Sequence, residues 1–171
     1  MNTVIVVTAV GPDRPGIVSR LSEVGSRFGA SWSASRMANL AGQFAGMVQF
    51  EVPSEQADAL ASALAALESP ELHVVVSRAG SARAAGEARL VHLEIVGHDR
   101  PGIVKDLSSS LATLGVSIEE LQTEVASAAM AGGPLFKVRA ELAVPAGVDK
   151  RQLRRSLEAL ANEMMVDVNL G

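Results

Sequence analysis

The chain has no cysteine and no tyrosine, and among its 171 residues it carries one Trp and four Phe. The absence of thiols excludes disulfide frameworks, thiolate zinc sites, iron–sulfur clusters and cysteine nucleophiles. Aromatic residues at 3% argue against a base-stacking platform for single-stranded nucleic acid. Acidic residues outnumber basic ones, 19 to 15, and no basic tail is present, so direct nucleic-acid binding is not expected. No stretch approaches the roughly 18 apolar residues of a membrane span. The short apolar run Val4 to Val7 lacks the preceding Lys or Arg of a secretory leader. These absences read as a soluble, cytoplasmic protein with no membrane partner. What is present is apolar: hydrophobic residues make up 48% of the chain, enough for a buried core in one ordinary domain or two small ones.

Self-comparison separates those alternatives. Gly11-Pro12-Asp13-Arg14-Pro15-Gly16-Ile17-Val18 recurs 86 residues later as Gly97-His98-Asp99-Arg100-Pro101-Gly102-Ile103-Val104, with seven of eight positions identical. The context repeats too: Leu21 and Ser22 match Leu107 and Ser108, and Gly29 and Ser31 match Gly115 and Ser117. Further on, Phe44, Val52 and Pro53 match Phe136, Val144 and Pro145 at a larger offset, so the second copy holds extra residues near Ala126 to Pro134. That segment reads as a longer, looser turn. The expected organisation is one module over 1–78, a linker over 79–88 rich in Ala, Gly, Ser and Arg, and a second module over 89–171.

Each copy parses alike. Thr3 to Val10 is β-branched and apolar, which predicts a strand. A helix then opens at Pro15, with Ile17, Val18, Leu21, Val24 and Phe28 on one face, and Gly29 ends it. Strands over about 31–40 and 44–52 follow, joined by Ala41-Gly42, then a helix over about 54–68 and a strand with Leu72, Val74 and Val76 alternating. The order βαββαβ, twice, predicts an α+β fold of two ferredoxin-like modules. Each would carry its helices on one face of an antiparallel sheet. Modules of about 80 residues bury a modest fraction of their surface, so side-by-side packing is expected.

Absences then narrow the uses of this fold. No Cys pair serves metal carriage, the first strand carries no aromatic for RNA recognition, and no nucleophile–base pair occurs in both copies. No catalytic residue and no cofactor is assigned, and the chain is read as a non-enzyme. The feature present twice is the first strand–helix loop. Gly11 or Gly97 would allow a tight exit from the strand, and Pro15 or Pro101 suits the first helical position. Gly16 or Gly102 would leave the next N–H uncovered, and free N–H groups at a helix start favour an anion such as a carboxylate. Asp13 or Asp99 would cap the turn or accept from an ammonium group. Such a loop is complementary to a free amino acid.

At these residues the sequence resembles the ACT domain family, over nearly the whole chain and in two copies. The resemblance implies modules that pair side by side, self-associate, and bind small effectors, often amino acids, at the pair interface. Stand-alone tandem modules resemble the glycine cleavage system transcriptional repressor family, which implies a regulator acting through a protein partner such as a transcription factor or an enzyme. Glycine or serine is then the first effector to consider. By resemblance the ligand-binding residues are Gly11, Asp13, Arg14, Pro15, Gly16, Ile17 and Val18 in the first copy. In the second they are Gly97, His98, Asp99, Arg100, Pro101, Gly102, Ile103 and Val104. The start of the second strand adds Ser31, Trp32, Ser117 and Ile118, with Trp32 as an optical reporter. Pro12 becomes His98 and Trp32 becomes Ile118, so the two sites should differ. The competing reading is a non-catalytic regulatory or dimerisation subunit of a biosynthetic enzyme.

The remaining candidates read as structural. His73 and His92 lie in strands and His98 in a loop, too separated for a metal site. Lys150, Arg151, Arg154 and Arg155 read as a solvated helix face, with a partner-binding patch as the alternative. Met164 and Met165 read as core.

Overall fold

Along β1 (Asn2–Pro12), Ile5, Val7 and Ala9 are buried, while Val4, Val6 and Thr8 between them are only partly covered. This period of two gives the strand one core face and one open face. The computed structural model describes residues 1–79, 88–128 and 133–171, and the chain divides into two units, Met1–Arg83 and Ala84–Gly171. The first unit continues with α1 (Ile17–Arg27), β2 (Ser31–Leu40), β3 (Gln43–Pro53), a short 3-10 turn over Ser54–Gln56, α2 (Ala57–Ala65) and β4 (His73–Arg78). The second contains β5 (Arg89–His98), α3 (Ile103–Thr113), β6 (Ser117–Ala128), β7 (Gly133–Val144), α4 (Lys150–Met164) and β8 (Val166–Leu170).

Both units are α+β with the expected βαββαβ order. Their antiparallel sheets run β2-β3-β1-β4 and β6-β7-β5-β8. In the first, α1 sets Ile17, Leu21 and Val24, and α2 sets Leu60 and Leu64, against Ile5, Val7, Val48 and Phe50. In the second, Leu107 and Leu111 of α3 and Leu153 and Leu157 of α4 cover Val91, Leu93, Val138 and Leu142. Each fully buried Leu, Ile or Phe contributes about 1.5–3 kcal/mol, and these residues set the inward faces of α1, α2, β1 and β3 and of α3, α4, β5 and β7. No helix among the described residues is long and apolar enough to cross a membrane.

Several local expectations need correction. Pro15 and Pro101 are not the first helical residues. Gly16 (φ 98°, ψ −6°) and Gly102 (φ 97°, ψ −6°) are the N-caps, and each proline precedes its cap. Those angles belong to the third position of a type II turn, which places Pro second and requires Gly next. Gly11 and Gly97 do not make a strand exit: both lie inside their strands, opposite Phe44 and Phe136. Their reason is close approach. A Cβ on Gly11 would stand 2.1 Å from the Glu71 carbonyl oxygen, and one on Gly97 2.2 Å from Val166 Cγ1. The expected linker falls largely on 80–87, outside the described residues. The expected loose turn is shorter than read: β6 runs to Ala128 and β7 starts at Gly133, with 129–132 outside the described residues. Met164 is core, but Met165 is exposed in a left-handed C-cap (φ 54°).

Candidate functional site

The type II turn at Pro15-Gly16 swings the chain from β1 into α1, whose first internal bond runs from the Arg20 N–H to the Gly16 carbonyl at 3.0 Å. The N–H groups of Val18 and Ser19 precede that bond and have no backbone acceptor among the described residues. No side chain caps them, and a Cβ on Gly16 would meet nothing within 4 Å, so the helix start is open. The loop is held from below by the Asp13 N–H, which donates to the Gly42 carbonyl at 2.8 Å. Asp13 therefore contributes its backbone to the ladder, and its carboxylate is not a cap. The hairpin residues Ala41 (φ 50°) and Gly42 (φ 78°) supply that carbonyl; sequence reading had treated them only as a turn.

The second loop repeats the backbone but not the electrostatics. The Asp99 N–H donates to the Pro134 carbonyl at 3.1 Å and the Asp106 N–H to the Gly102 carbonyl at 2.9 Å. Asp106, in the first turn of α3, brings its carboxylate within 3.7 Å of the Cβ position of Gly102 and within 3.7 Å of Arg100. A carboxylate near a helix start complements the macrodipole. The equivalent residue in α1 is Arg20, and that helix has no acid in its first turn. Arg14, the counterpart of Arg100, pairs with Glu71 just ahead of β4. One loop presents a bare cationic helix start; the other already has a carboxylate and its own guanidinium beside it.

The second-strand candidates do not join these loops within a unit. Both β1 and β2 are antiparallel to β3, hence parallel to each other, so β2 begins where β1 begins and the loop lies at the far end. Ser31 is level with Val4, and from Val4 to Pro12 the strand rises about 27 Å. Ser31 is exposed; Trp32 is half-buried and packs edge-on against Phe50, with ring centroids 5.4 Å apart at 80°. Ser117 and Ile118 lie likewise level with Leu90 and Val91, away from Gly97, and Ile118 packs on the second core.

The histidines are exposed in their units. His73 Nδ1 lies 3.0 Å from Glu68, His92 Nδ1 lies 3.9 Å from Glu141, and His98 Nδ1 lies 3.9 Å from where a Cβ on Gly133 would stand. The Val74 N–H, and next His73, hold the Glu68 carboxyl below its ordinary range. Among the described residues no three His, Asp or Glu groups could hold a metal ion. Lys150, Arg151, Arg154 and Arg155 are exposed on α4, which is capped by the Asp149 side chain accepting from the Arg151 N–H at 3.3 Å. A depression of about 300 Å³ on the open face of the second sheet is lined by His92, Glu94, Glu120, Gln122, Arg139 and Glu141. Sequence reading missed it, although its residues alternate along three strands.

No curated protein matches the chain. Among solved structures it is similar to an unknown protein from Galdieria sulphuraria at 30% identity and TM-score 0.86, over 99% of this chain and 98% of that one. It is also similar in fold to a protein proposed to be a glycine cleavage system transcriptional repressor, at 20% identity and TM-score 0.70, over 100% of this chain and 97% of that one. The ACT domain model matches twice, at residues 3–77 and 89–170, each match running from the first strand through the loop to the last strand of a unit. With two complete βαββαβ units and that double match, the chain belongs to the ACT domain family.

Proposed function

We propose that this chain is an amino-acid-binding regulatory protein of amino-acid metabolism, non-catalytic itself and acting through a protein partner. The observation that carries the reading is the open helix start at Gly16, where the Val18 and Ser19 N–H groups lie without backbone acceptors near Arg20 and the exposed Asp13. Aligned N–H groups favour a carboxylate, and Asp13 supplies an acceptor for an ammonium group on the same loop. The first loop is the principal effector site. The second, with Asp106 and Arg100 already at its helix start, is the weaker one. Glycine has five heavy atoms, and at about −1.5 kcal/mol per atom its ceiling is near micromolar affinity, suited to sensing an abundant metabolite.

The test is a panel of free amino acids, beginning with glycine and serine, read by thermal shift and calorimetry. A ligand at about 100 times its Kd adds about 2.7 kcal/mol to the stability of the state it binds. Tryptophan emission is a poor reporter, because Trp32 sits at the end of the sheet away from the loop. Gly16→Val should abolish the shift, since a β-branched residue does not adopt φ 98°. A panel that leaves the melting temperature unmoved, with a ligand-insensitive partner recovered by pull-down, favours the competing dimerisation-subunit reading.

A further inference from the structure

Helix α4 carries Lys150, Arg151, Arg154 and Arg155 in its first two turns, all exposed. At about 100° per residue the four lie within an arc of about 140°, over about 7.5 Å of helix axis, clear of the buried Leu153 and Leu157. None of their side chains has an ion-pair partner among the described residues, whereas Arg14, Arg78, Arg100, Lys137 and Arg139 are all paired. The fold does not call for this charge. Leu60 and Leu64 of α2 match Leu153 and Leu157 in spacing and burial, and Ala57, Asp58, Ala61 and Ser62 then stand where the four cations stand. Helix α2 has an acid in its first turn and α4 has none. The macrodipole disfavours cations at a helix start. Only Asp149 offsets them there, its carboxylate accepting from the Arg151 N–H at 3.3 Å.

We infer that this flank of α4 docks an acidic segment of a protein partner, whose Asp or Glu carboxylates meet the four cations. Charge complementarity selects that occupant: unpaired cations held against the dipole, in one unit and absent from the other, are neutralised by carboxylates brought from outside. Three of the four are Arg, whose planar forks hold carboxylates in bidentate pairs. The patch is about one and a half turns long, and the exposed Glu158 on the same flank ends it. A short acidic segment fits those limits. A continuous phosphate backbone would run on past Glu158, over a chain of net charge −4. The inference rests on the partner-mediated half of the proposed function and is independent of the effector loop.

Fluorescence anisotropy of the full chain with a labelled peptide of about ten glutamates, at about 0.1 M salt, tests it. The peptide should bind, and release at about 1 M salt, where charges are screened beyond about 3 Å. Arg154→Glu with Arg155→Glu should weaken binding about tenfold or more, and so should Lys150→Glu with Arg151→Glu. The second pair puts acids at a helix start, so its melting temperature should not fall and its lost binding cannot be unfolding. Arg27→Glu with Lys105→Glu makes the same change in net charge at exposed positions on α1 and α3 and should alter binding by less than about twofold. A wild-type chain that leaves the peptide free at about 1 mM overturns the inference. So does a control pair that weakens binding as much as the α4 pairs. A single-stranded DNA of about ten nucleotides that binds more tightly than the peptide through the same four residues also overturns it. The amino-acid panel reads the effector loop separately. An unresponsive panel with peptide binding that depends on the four residues supports this surface, and a responsive panel without peptide binding overturns it.

Discussion

Gly11→Ala should be among the most destabilising single-methyl changes in the first unit. The new Cβ would lie 2.1 Å from the Glu71 carbonyl oxygen, 3.1 Å from its carbon and 3.3 Å from Leu72 Cα. Ordinary carbon–oxygen contact needs about 3.3 Å, so β1 and the chain ahead of β4 must part by about 1 Å. That movement drags Leu72, which is 1% exposed, out of its packing. Both obstacles are backbone, and no rotamer change relieves them. The cost belongs at the upper end of overpacking, about 3 kcal/mol. For a unit of this size it lowers the melting temperature by roughly 12–24 °C. Trp32 belongs to unit 1 and rests on the buried Phe50, so its emission on heating follows that unit. Gly97→Ala meets a different wall: Val166 Cγ1 at 2.2 Å, Cβ at 2.8 Å and Cα at 3.2 Å. Removing the valine side chain with Val166→Gly leaves only the last of these. The Gly97→Ala penalty, read by calorimetry, should therefore fall below about 1 kcal/mol in that background. A Gly11→Ala protein melting within about 4 °C of wild type would refute the reasoning, as would a Gly97→Ala penalty unchanged by Val166→Gly.

Other perturbations isolate single interactions. Glu68 has a folded-state pKa below its ordinary value of 4.5, chiefly through the Val74 N–H and then His73. It therefore adds stability above its unfolded pKa and loses it as the pH falls through the folded value. Glu68→Gln should melt below wild type at neutral pH and converge with it only once the pH lies below the folded value, itself under 4.5; a gap that persists in that acid limit contradicts the assignment. Arg20→Asp should copy the second loop's acid into the first and weaken amino-acid binding about tenfold or more, while Asp106→Arg should strengthen the second site. Titration calorimetry reads both, and equal affinities in the two variants count against the asymmetry. Gly25→Ala would put a Cβ 2.5 Å from Phe50 Cε1. The ring must yield, so Trp32 emission should shift at 25 °C before any change in secondary structure, and an unchanged spectrum argues against the contact.

The internal repeat made the topology legible because it repeats the periods themselves: apolar residues at every second position in strands, and at three- and four-residue spacing in helices. The errors at the loop have a common source. Pro-Gly reads as a helix start by the preference of proline for the first helical position. The same dipeptide is also the signature of a type II turn, and the turn won because Gly16 and Gly102 adopt positive φ at no steric cost. Ser31 and Trp32 lie at the far end of their own unit from its loop for a topological reason. In a βαββ order with the third strand between the first two, the first two are parallel, and their starts share the end opposite the loop. The close approaches at Gly11 and Gly97 were not legible, since they depend on how β4 and β8 pass beside the central strand, a long-range contact that no local pattern encodes. This changes what the near-identity of the two loops means. Four of the eight positions, Gly11, Pro15, Gly16 and Ile17 with their counterparts, are explained by backbone approach, turn geometry and core burial alone. A shared motif thus specifies the loop's shape in both units, and its chemistry is set by residues outside the motif. Arg20 and Asp106 differ while the loops before them do not, so on the proposed effector reading selectivity for a carboxylate would belong to the first turn of each helix.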